Sequence, residues 1–195
     1  YMQVHGVGFI EAVRALGAWM ESGKKMEPSS TNRAARPMAP EAPAVLSAYG
    51  RDLLRASVGL HGTTAAAYLQ ARSCRLPPAD TDLRFHPSVR HRSGYMGPCM
   101  LGLIVNAVTG EPMGVHRTFH AADGSKPVTP AKMTLGPKQG GVIRLWPNEA
   151  VTHGLAIAEG IETALTMAYD YTPVWSVIDA GNMAALPVLA GIETL

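Results

Sequence analysis

The sequence predicts an α/β fold in which a basic α+β segment leads into the first half of a parallel sheet. Three observations carry this. After Pro147 the apolar pattern reads strand (155–158), helix (162–170), strand (174–178) and helix (182–189). Such alternation builds a parallel sheet with crossover helices. Further upstream, the apolar runs Leu101–Val105 and Met113–Phe119 flank Thr109-Gly110-Glu111, the pattern of a hairpin. Finally, the short apolar stretch Leu155–Ala158 ends on Glu159 and Gly160 just before a helical pattern begins. A strand delivers an acid in this way to the carboxyl edge of a parallel sheet, where open α/β folds bind ligands.

In chain order, Phe9, Ile10, Val13, Leu16 and Met20 recur at helical spacing and predict an amphipathic helix within residues 1–22. Residues 23–43 are rich in Pro, Ser, Lys and Arg without apolar period and read as a flexible linker. Helical patterning resumes at Ala44 and runs to about Gln70, broken between Gly59 and Gly62, with Thr63 placed to cap the next helix over 65–71. Pro77-Pro78 closes that stretch, and from Leu83 the texture is that of strands. Asp123-Gly124 marks a turn and Val142–Trp146 a further strand. The organisation expected is therefore 1–22, 23–43, a basic subdomain over 44–147 and an α/β segment over 148–195.

Composition narrows the function classes. At 195 residues and 47% hydrophobic content the chain can bury a real core. No apolar run approaches the ~20 residues of a membrane span, and the N-terminus lacks the apolar segment of a signal peptide. Two cysteines without CxxC spacing indicate neither a disulfide framework nor a zinc site, and they suit a reduced cytoplasm. The first residue is Tyr1, and an apolar pattern is resuming at Leu195, so both ends read as cuts through a longer protein. The net charge of +2 hides a split. Residues 84–144 hold eight Lys/Arg against two acids, whereas residues 145–195 hold six acids and no Lys or Arg. A basic middle suits a polyanion and an acidic end suits metal cations; the two halves would also attract each other.

The candidate site residues follow from these patterns. Glu159, at a strand end beside Gly160, could hold a hard cation through oxygen. Glu162, one turn later, either faces the same cleft or favours the positive helix N-terminus. Asp179 follows a predicted strand and either lines that edge or caps the next helix, as Asn182 could. Strand alternation puts Arg117 on the face of Met113, Val115 and Phe119, where a lone Arg either reaches a cleft or lies at the edge of the core. His116 and His120 share the other face; two His at that spacing can bind metal, but a surface strand is the favoured reading. Arg84, His86, Arg90, His91 and Arg92 form a basic patch suited to phosphate contacts. Lys138 with Gly136, Gly140 and Gly141 superficially suggests a phosphate loop. The run lacks the Gly-Lys-Ser/Thr ending and leads into a strand, so it is not a Walker motif.

Taken together, the motifs resemble the bacterial-type DNA primases in the divergent form found in phage and plasmid replication proteins. Ala158-Glu159-Gly160-Ile161-Glu162-Thr163-Ala164 looks like the first signature of a Toprim domain, and Val174–Ile178, Asp179-Ala180-Gly181-Asn182 and the following helix look like its second strand, turn and helix. Tyr68-Leu69-Gln70-Ala71-Arg72 and Leu83-Arg84-Phe85-His86-Pro87 resemble the segment before the primase core, although Arg72 is followed by Ser73 where the family usually has Arg-Gly. Gly114–Phe119, Pro130–Pro137 and Gly140–Leu145 resemble the basic subdomain that precedes Toprim, and the first helix resembles the tail of a zinc ribbon.

The resemblance implies RNA primer synthesis on single-stranded DNA during replication, within a primosome, by metal-dependent nucleotidyl transfer. Glu159, Lys132 and Arg117 would serve catalysis, and Glu159, Asp179 and Glu162 would bind Mg²⁺ or Mn²⁺. Arg84, Arg90, Arg92, Lys132 and Lys138 would contact nucleic acid. Zn²⁺ would sit in a ribbon before Tyr1. The family's next strand, ending in Asp-x-Asp, is not among these residues, so this stretch alone is expected to be inactive. The partners implied are a single-stranded DNA template, ribonucleoside triphosphates and a replicative helicase that could be fused downstream. The alternatives are another Toprim enzyme, either a nuclease or a topoisomerase, and a nonenzymatic nucleic-acid-binding protein.

Overall fold

A computed structural model describes residues 45–193. The expected zinc-ribbon tail (1–22) and linker (23–43) lie outside the described residues. In chain order the elements are α1 (Ala48–Arg55), β1 (Val58–Gly59), α2 (Thr64–Ala71), β2 (Leu83–Arg90), β3 (Met96–Asn106), β4 (Pro112–Phe119), β5 (Lys132–Leu135) and β6 (Gly141–Arg144). A 3₁₀ turn (Asn148–Ala150) follows, then β7 (Ala156–Ala158), α3 (Ile161–Met167), β8 (Val174–Ser176) and α4 (Ala180–Ala184).

Local chemistry explains most of these boundaries. Ser47 caps α1 by accepting the Gly50 N–H at 3.1 Å, and the helix buries Leu53. Thr63 occupies the cap position of α2, but its hydroxyl donates to the Leu60 carbonyl instead of capping. The hairpin falls where the sequence puts it, with Leu103 opposite Val115 and Gly102 opposite His116. Its turn needs Gly110 at φ +73°, while the Asn106 side chain accepts the Val108 and Thr109 N–H groups at 2.9 Å. Alternation then places Val115 and Phe119 against Leu46, Leu53 and Leu101, under α1.

Eight strands form one sheet in the order β1-β2-β3-β6-β8-β7, with β4 on β3 and β5 on β4. The class is mixed α/β, but the pairing differs from the parallel sheet expected after residue 147. Only β7 and β8 run parallel, with Ala156 opposite Val174 and Ala158 opposite Ser176. Every other pair is antiparallel. A parallel pair needs a long crossover, which β7–α3–β8 provides, whereas β1 and β2 pair antiparallel although α2 lies between them. The sheet also continues across residue 147, since β6 pairs with β8 through Ile143–Ser176 and Arg144–Trp175. The last helix spans Ala180–Ala184 instead of 182–189, because Asp179 caps it by accepting the Asn182 N–H at 2.8 Å, and Pro187 cannot lie in a helix interior.

One edge of β3 serves two strands in succession. Leu83 of β2 faces Gly102, and further along Val142 and Gly141 of β6 face Val105 and Asn106. At the joint, Asp82 holds Arg144 through Nε at 2.7 Å and Nη2 at 3.2 Å, and the Asp82 N–H donates to the Arg144 carbonyl at 2.9 Å. The core lies on both sides of this sheet. Tyr68, Leu69, Leu145, Leu165 and Val174 pack beneath α2 and α3, whereas Val105, Val142, Trp175, Val177 and Leu189 form a separate cluster.

The position of β5 depends on a glycine. A Cβ on Gly114 would lie 2.6 Å from the Pro137 carbonyl oxygen and 2.8 Å from that of Leu135, both backbone atoms. Gly114→Ala is expected to push β5 off β4 and to destabilise the fold by about 2 kcal/mol. Urea unfolding with amide exchange over residues 132–135 checks this, and a wild-type midpoint with unchanged protection would contradict it.

Candidate functional site

Two acids of the C-terminal segment, Glu159 and Asp179, follow the two strands of the parallel pair. Glu159 follows β7 directly and is exposed. The next residue, Gly160, occupies the cap position of α3. On the neighbouring strand the Val177 N–H donates to the Ala158 carbonyl at 2.9 Å, so the turn after β8 lies beside the Glu159-Gly160 turn. Ile178 there adopts φ +77°. For a β-branched residue this left-handed conformation costs about 1–2 kcal/mol, a form of strain that clusters at functional sites.

The basic sheet reaches the same place. His116 of β4 and Lys132 of β5 line a small cleft with Gly160, Ser176 and Ile178. Register explains the pairing, since Thr118 faces Lys132 and His116 faces Thr134, which puts His116 and Lys132 on one face. Arg117 falls on the opposite face, buried with its Nε lacking a partner among the described residues. The fold therefore does not bring Arg117 to the cleft with Lys132.

Glu162 lies at the centre of a charged knot. Its Oε1 accepts the Tyr68 hydroxyl at 2.8 Å and pairs with Lys132 Nζ at 2.9 Å, while its Oε2 pairs with Arg72 Nε at 2.6 Å. The glutamate side chain is 13% exposed, against 41% for Lys132 and 38% for Arg72. Burial alone would raise its pKa, but Lys132, Tyr68 and Arg72 outweigh it and hold the carboxyl at about 2. Burial and the bond to Glu162 push the Tyr68 phenol up, so it stays protonated. The bond to Glu162 likewise raises the Arg72 guanidinium.

The other predicted residues separate. Asp179 pairs with Lys138 and caps α4, and both contacts pull its carboxyl below the usual range. Asn182 is not a cap. It is buried and holds three backbone groups, accepting from Gly140 at 2.7 Å and donating to Gly141 at 2.6 Å and Val177 at 2.9 Å. Arg84 is tied to Ser57 through Nε at 2.6 Å and Nη2 at 2.8 Å. Arg90 and Arg92 are exposed.

The residues differ in how well they suit Mg²⁺ or Mn²⁺. Among the described residues no three His, Cys, Asp or Glu side chains gather as a metal cluster. Mg²⁺ commonly takes one or two carboxylates and fills its other positions with water and substrate phosphates. Exposed Glu159 fits such a donor. Both oxygens of Glu162 are already engaged by cations and a phenol, which suits it less to a metal than Glu159, and Asp179 is shared between Lys138 and the Asn182 N–H. Cys74 and Cys99 are separate, buried free thiols, each with its pKa raised by burial. A larger cavity of about 410 Å³ lies beside Trp175, Val105 and Leu189 and contains none of the predicted site residues.

Sequence patterning did not identify Tyr68 and Arg72 as partners of Glu162, although their spacing on one helix puts them on one face. It also read His116 and His120 as lying on a surface strand. His120 is fully buried, with both ring nitrogens unpartnered among the described residues, and its ring lies 5.0 Å from that of Tyr68. The apolar cover comes from α2, which the strand's own pattern cannot reveal.

These groups set the acid stability. Burial depresses His116 and His120 from 6.5 to about 4, Lys132 and Lys138 adding to the effect at His116. Between pH 6.5 and 4 the unfolded chain takes up protons that the folded chain does not, so stability falls as pH falls, by about 3 kcal/mol per histidine. Glu162 acts lower, since its stabilisation is complete above 4.5 and is lost as pH falls towards 2. His120→Leu is expected to flatten the upper window and Glu162→Gln the lower one, as read by urea midpoints across pH. Slopes identical to wild type would contradict the assignments.

Residues 45–145, just over half of the chain, match the family described as a domain of unknown function, DUF7146. The match runs from the residues before α1 to the end of β6. No curated protein and no solved structure matches the chain. The chain belongs to the DUF7146 family.

Proposed function

We propose that this chain is part of a DNA primase of the phage or plasmid replication type, with residues 148–195 forming the first half of a Toprim domain. The observation that supports this best is that a cation lines a cleft whose wall includes Gly160, the residue next to an exposed acid. An exposed acid, Glu159, ends a parallel strand beside Gly160, and a cation from the antiparallel basic sheet, Lys132, lines the cleft next to it. Nucleotidyl transfer uses both signs. The primer's 3′ oxygen bonds to the α-phosphate of a ribonucleoside triphosphate, and the bond to pyrophosphate breaks. A divalent ion supplies stabilisation of the charge that builds on the phosphoryl oxygens.

In this reading Glu159 holds the ion, and Lys132 meets a phosphate with the donors that Glu162 leaves open. Exposed Arg90 and Arg92 contact the template backbone without reading its sequence. Arg84 and Lys138, already engaged by Ser57 and Asp179, contribute less. Arg117, on the opposite face, has no step here. The template is single-stranded DNA, the substrates are ribonucleoside triphosphates, and a replicative helicase is the natural partner. A cytoplasmic site of action belongs to the same proposal; among the described residues, no helix is long and apolar enough to cross a membrane.

Glu159→Gln retains shape and removes charge, so template-dependent primer synthesis by the protein carrying this chain is expected to fall about a hundredfold or more. Mn²⁺ should also cease to broaden the amide signals of residues 159–161. Near wild-type synthesis and unchanged broadening would sink the assignment.

Arg90 and Arg92 give a separate expectation. Replacing both by Ala should lower the log–log salt slope of single-stranded DNA binding by roughly 0.7 per contact. Anisotropy titrations at several salt concentrations measure it, and an unchanged slope would remove these residues from the interface.

A further inference from the structure

We propose that Glu162 is a positioning residue that presents Lys132 and Arg72 as a preset pair of cations for a polyphosphate. The inference rests on the primase reading for the identity of the ligand, but its argument is geometric. Glu162 is far less exposed than either cation, and it touches both of them and the hydroxyl of the buried Tyr68. Lys132 comes from β5, Arg72 and Tyr68 from α2 and its C-cap, and Glu162 from α3. Three elements distant in sequence thus meet on one carboxylate.

The donor inventory shows what this arrangement leaves available. An ammonium has three N–H donors and a guanidinium five. Lys132 spends one on Glu162 and Arg72 spends its Nε–H there. Both side chains remain more than a third exposed, and among the described residues their other donors have no further protein partner. Tyr68 stays neutral, and with two cations against one anion the knot keeps a charge of +1. Lys132 lines the cleft beside Gly160, and Arg72 additionally packs over the Tyr68 ring, its Cζ 5.7 Å from the centroid. Without the carboxylate two like charges would repel, and each long side chain would regain its rotamer freedom. Holding donors in place before the ligand arrives removes that ordering cost from binding.

The opposite view is that Glu162 is a structural tie whose negative charge merely lies near a basic cleft. The two views differ in sign. A bystander carboxylate repels a polyanion, so Glu162→Gln would tighten polyphosphate binding. A positioning carboxylate does the reverse. The probe is tripolyphosphate, titrated calorimetrically into the protein at fixed salt with folding confirmed by circular dichroism. Glu162→Gln is expected to weaken binding about fivefold, and Lys132→Gln to cost more in the wild-type protein than in the Glu162→Gln variant.

Arg72→Gln, at an exposed position, provides a second variant if Glu162→Gln folds poorly, and it too is expected to weaken binding about fivefold. In parallel, Lys132 observed by reductive ¹³C-methylation should be immobile in wild type and mobile in Glu162→Gln or, failing that, in Glu162→Asp. Unchanged or tighter binding in Glu162→Gln, a wild-type affinity in Arg72→Gln, or no tripolyphosphate binding by the wild-type protein would overturn the proposal. The primer assay on Glu159→Gln is independent of all three, so failure here and failure of the primase reading are distinguishable.

Discussion

The Asp82–Arg144 ion pair is the interaction on which the rest of the molecule depends. It closes the joint where one edge of β3 passes from β2 to β6. The fork-to-carboxylate geometry fixes direction as well as distance, and the backbone bond from Asp82 to Arg144 repeats the constraint. Both side chains are largely shielded, so removing one partner would leave the other charge poorly solvated, at a cost of about 3 kcal/mol. Because β6 is fixed to β3, β8 is fixed to β6, and β7 to β8. The edge that presents Glu159 is therefore placed relative to the basic sheet by a chain of strand pairings, not by a linker.

A second constraint acts across the cleft. Glu162 draws α2, β5 and α3 together, and Asn182 does the same for the turn before β6 and the end of β8. Asn182 is buried and Glu162 largely shielded, and the contacts of both are nearly all made, the condition under which such groups specify one arrangement. The cleft keeps less satisfied groups, the strained Ile178 turn and the depressed His116, with the exposed Glu159 carboxylate one residue from its wall at Gly160. Order is concentrated in the supports, while the groups that could meet a ligand retain free valences.

The hairpin, the Glu159-Gly160 turn and the strand–helix–strand unit after it were legible in the sequence because each is written in local signals. Gly110 marks its turn, alternation marks β4, and an apolar run ending on an acid marks β7. Sheet order was not legible, since nothing local tells that β6 lies against β8 or that parallel pairing stops after two strands. The site was legible only in part. Glu159 and Lys132 could be named from local pattern and resemblance, but the contacts of Glu162 could not, because Tyr68 and Arg72 lie some ninety residues away in the chain and Lys132 about thirty. Arg117 lost its place because one face of β4 leads to the cleft and the other to the core under α1. The histidines were misread for the complementary reason, as α2 covers a strand face that alternation alone leaves open.

The account makes Glu159 the metal-bearing acid and Lys132 a phosphate contact at the same cleft. Anomalous diffraction from crystals of the protein grown with Mn²⁺ and a non-hydrolysable ribonucleoside triphosphate tests this most directly. The account predicts an anomalous peak within coordination distance of a Glu159 oxygen, about 2.0–2.2 Å, with triphosphate oxygens between that ion and Lys132. A peak elsewhere, or a triphosphate bound away from this cleft, would contradict it.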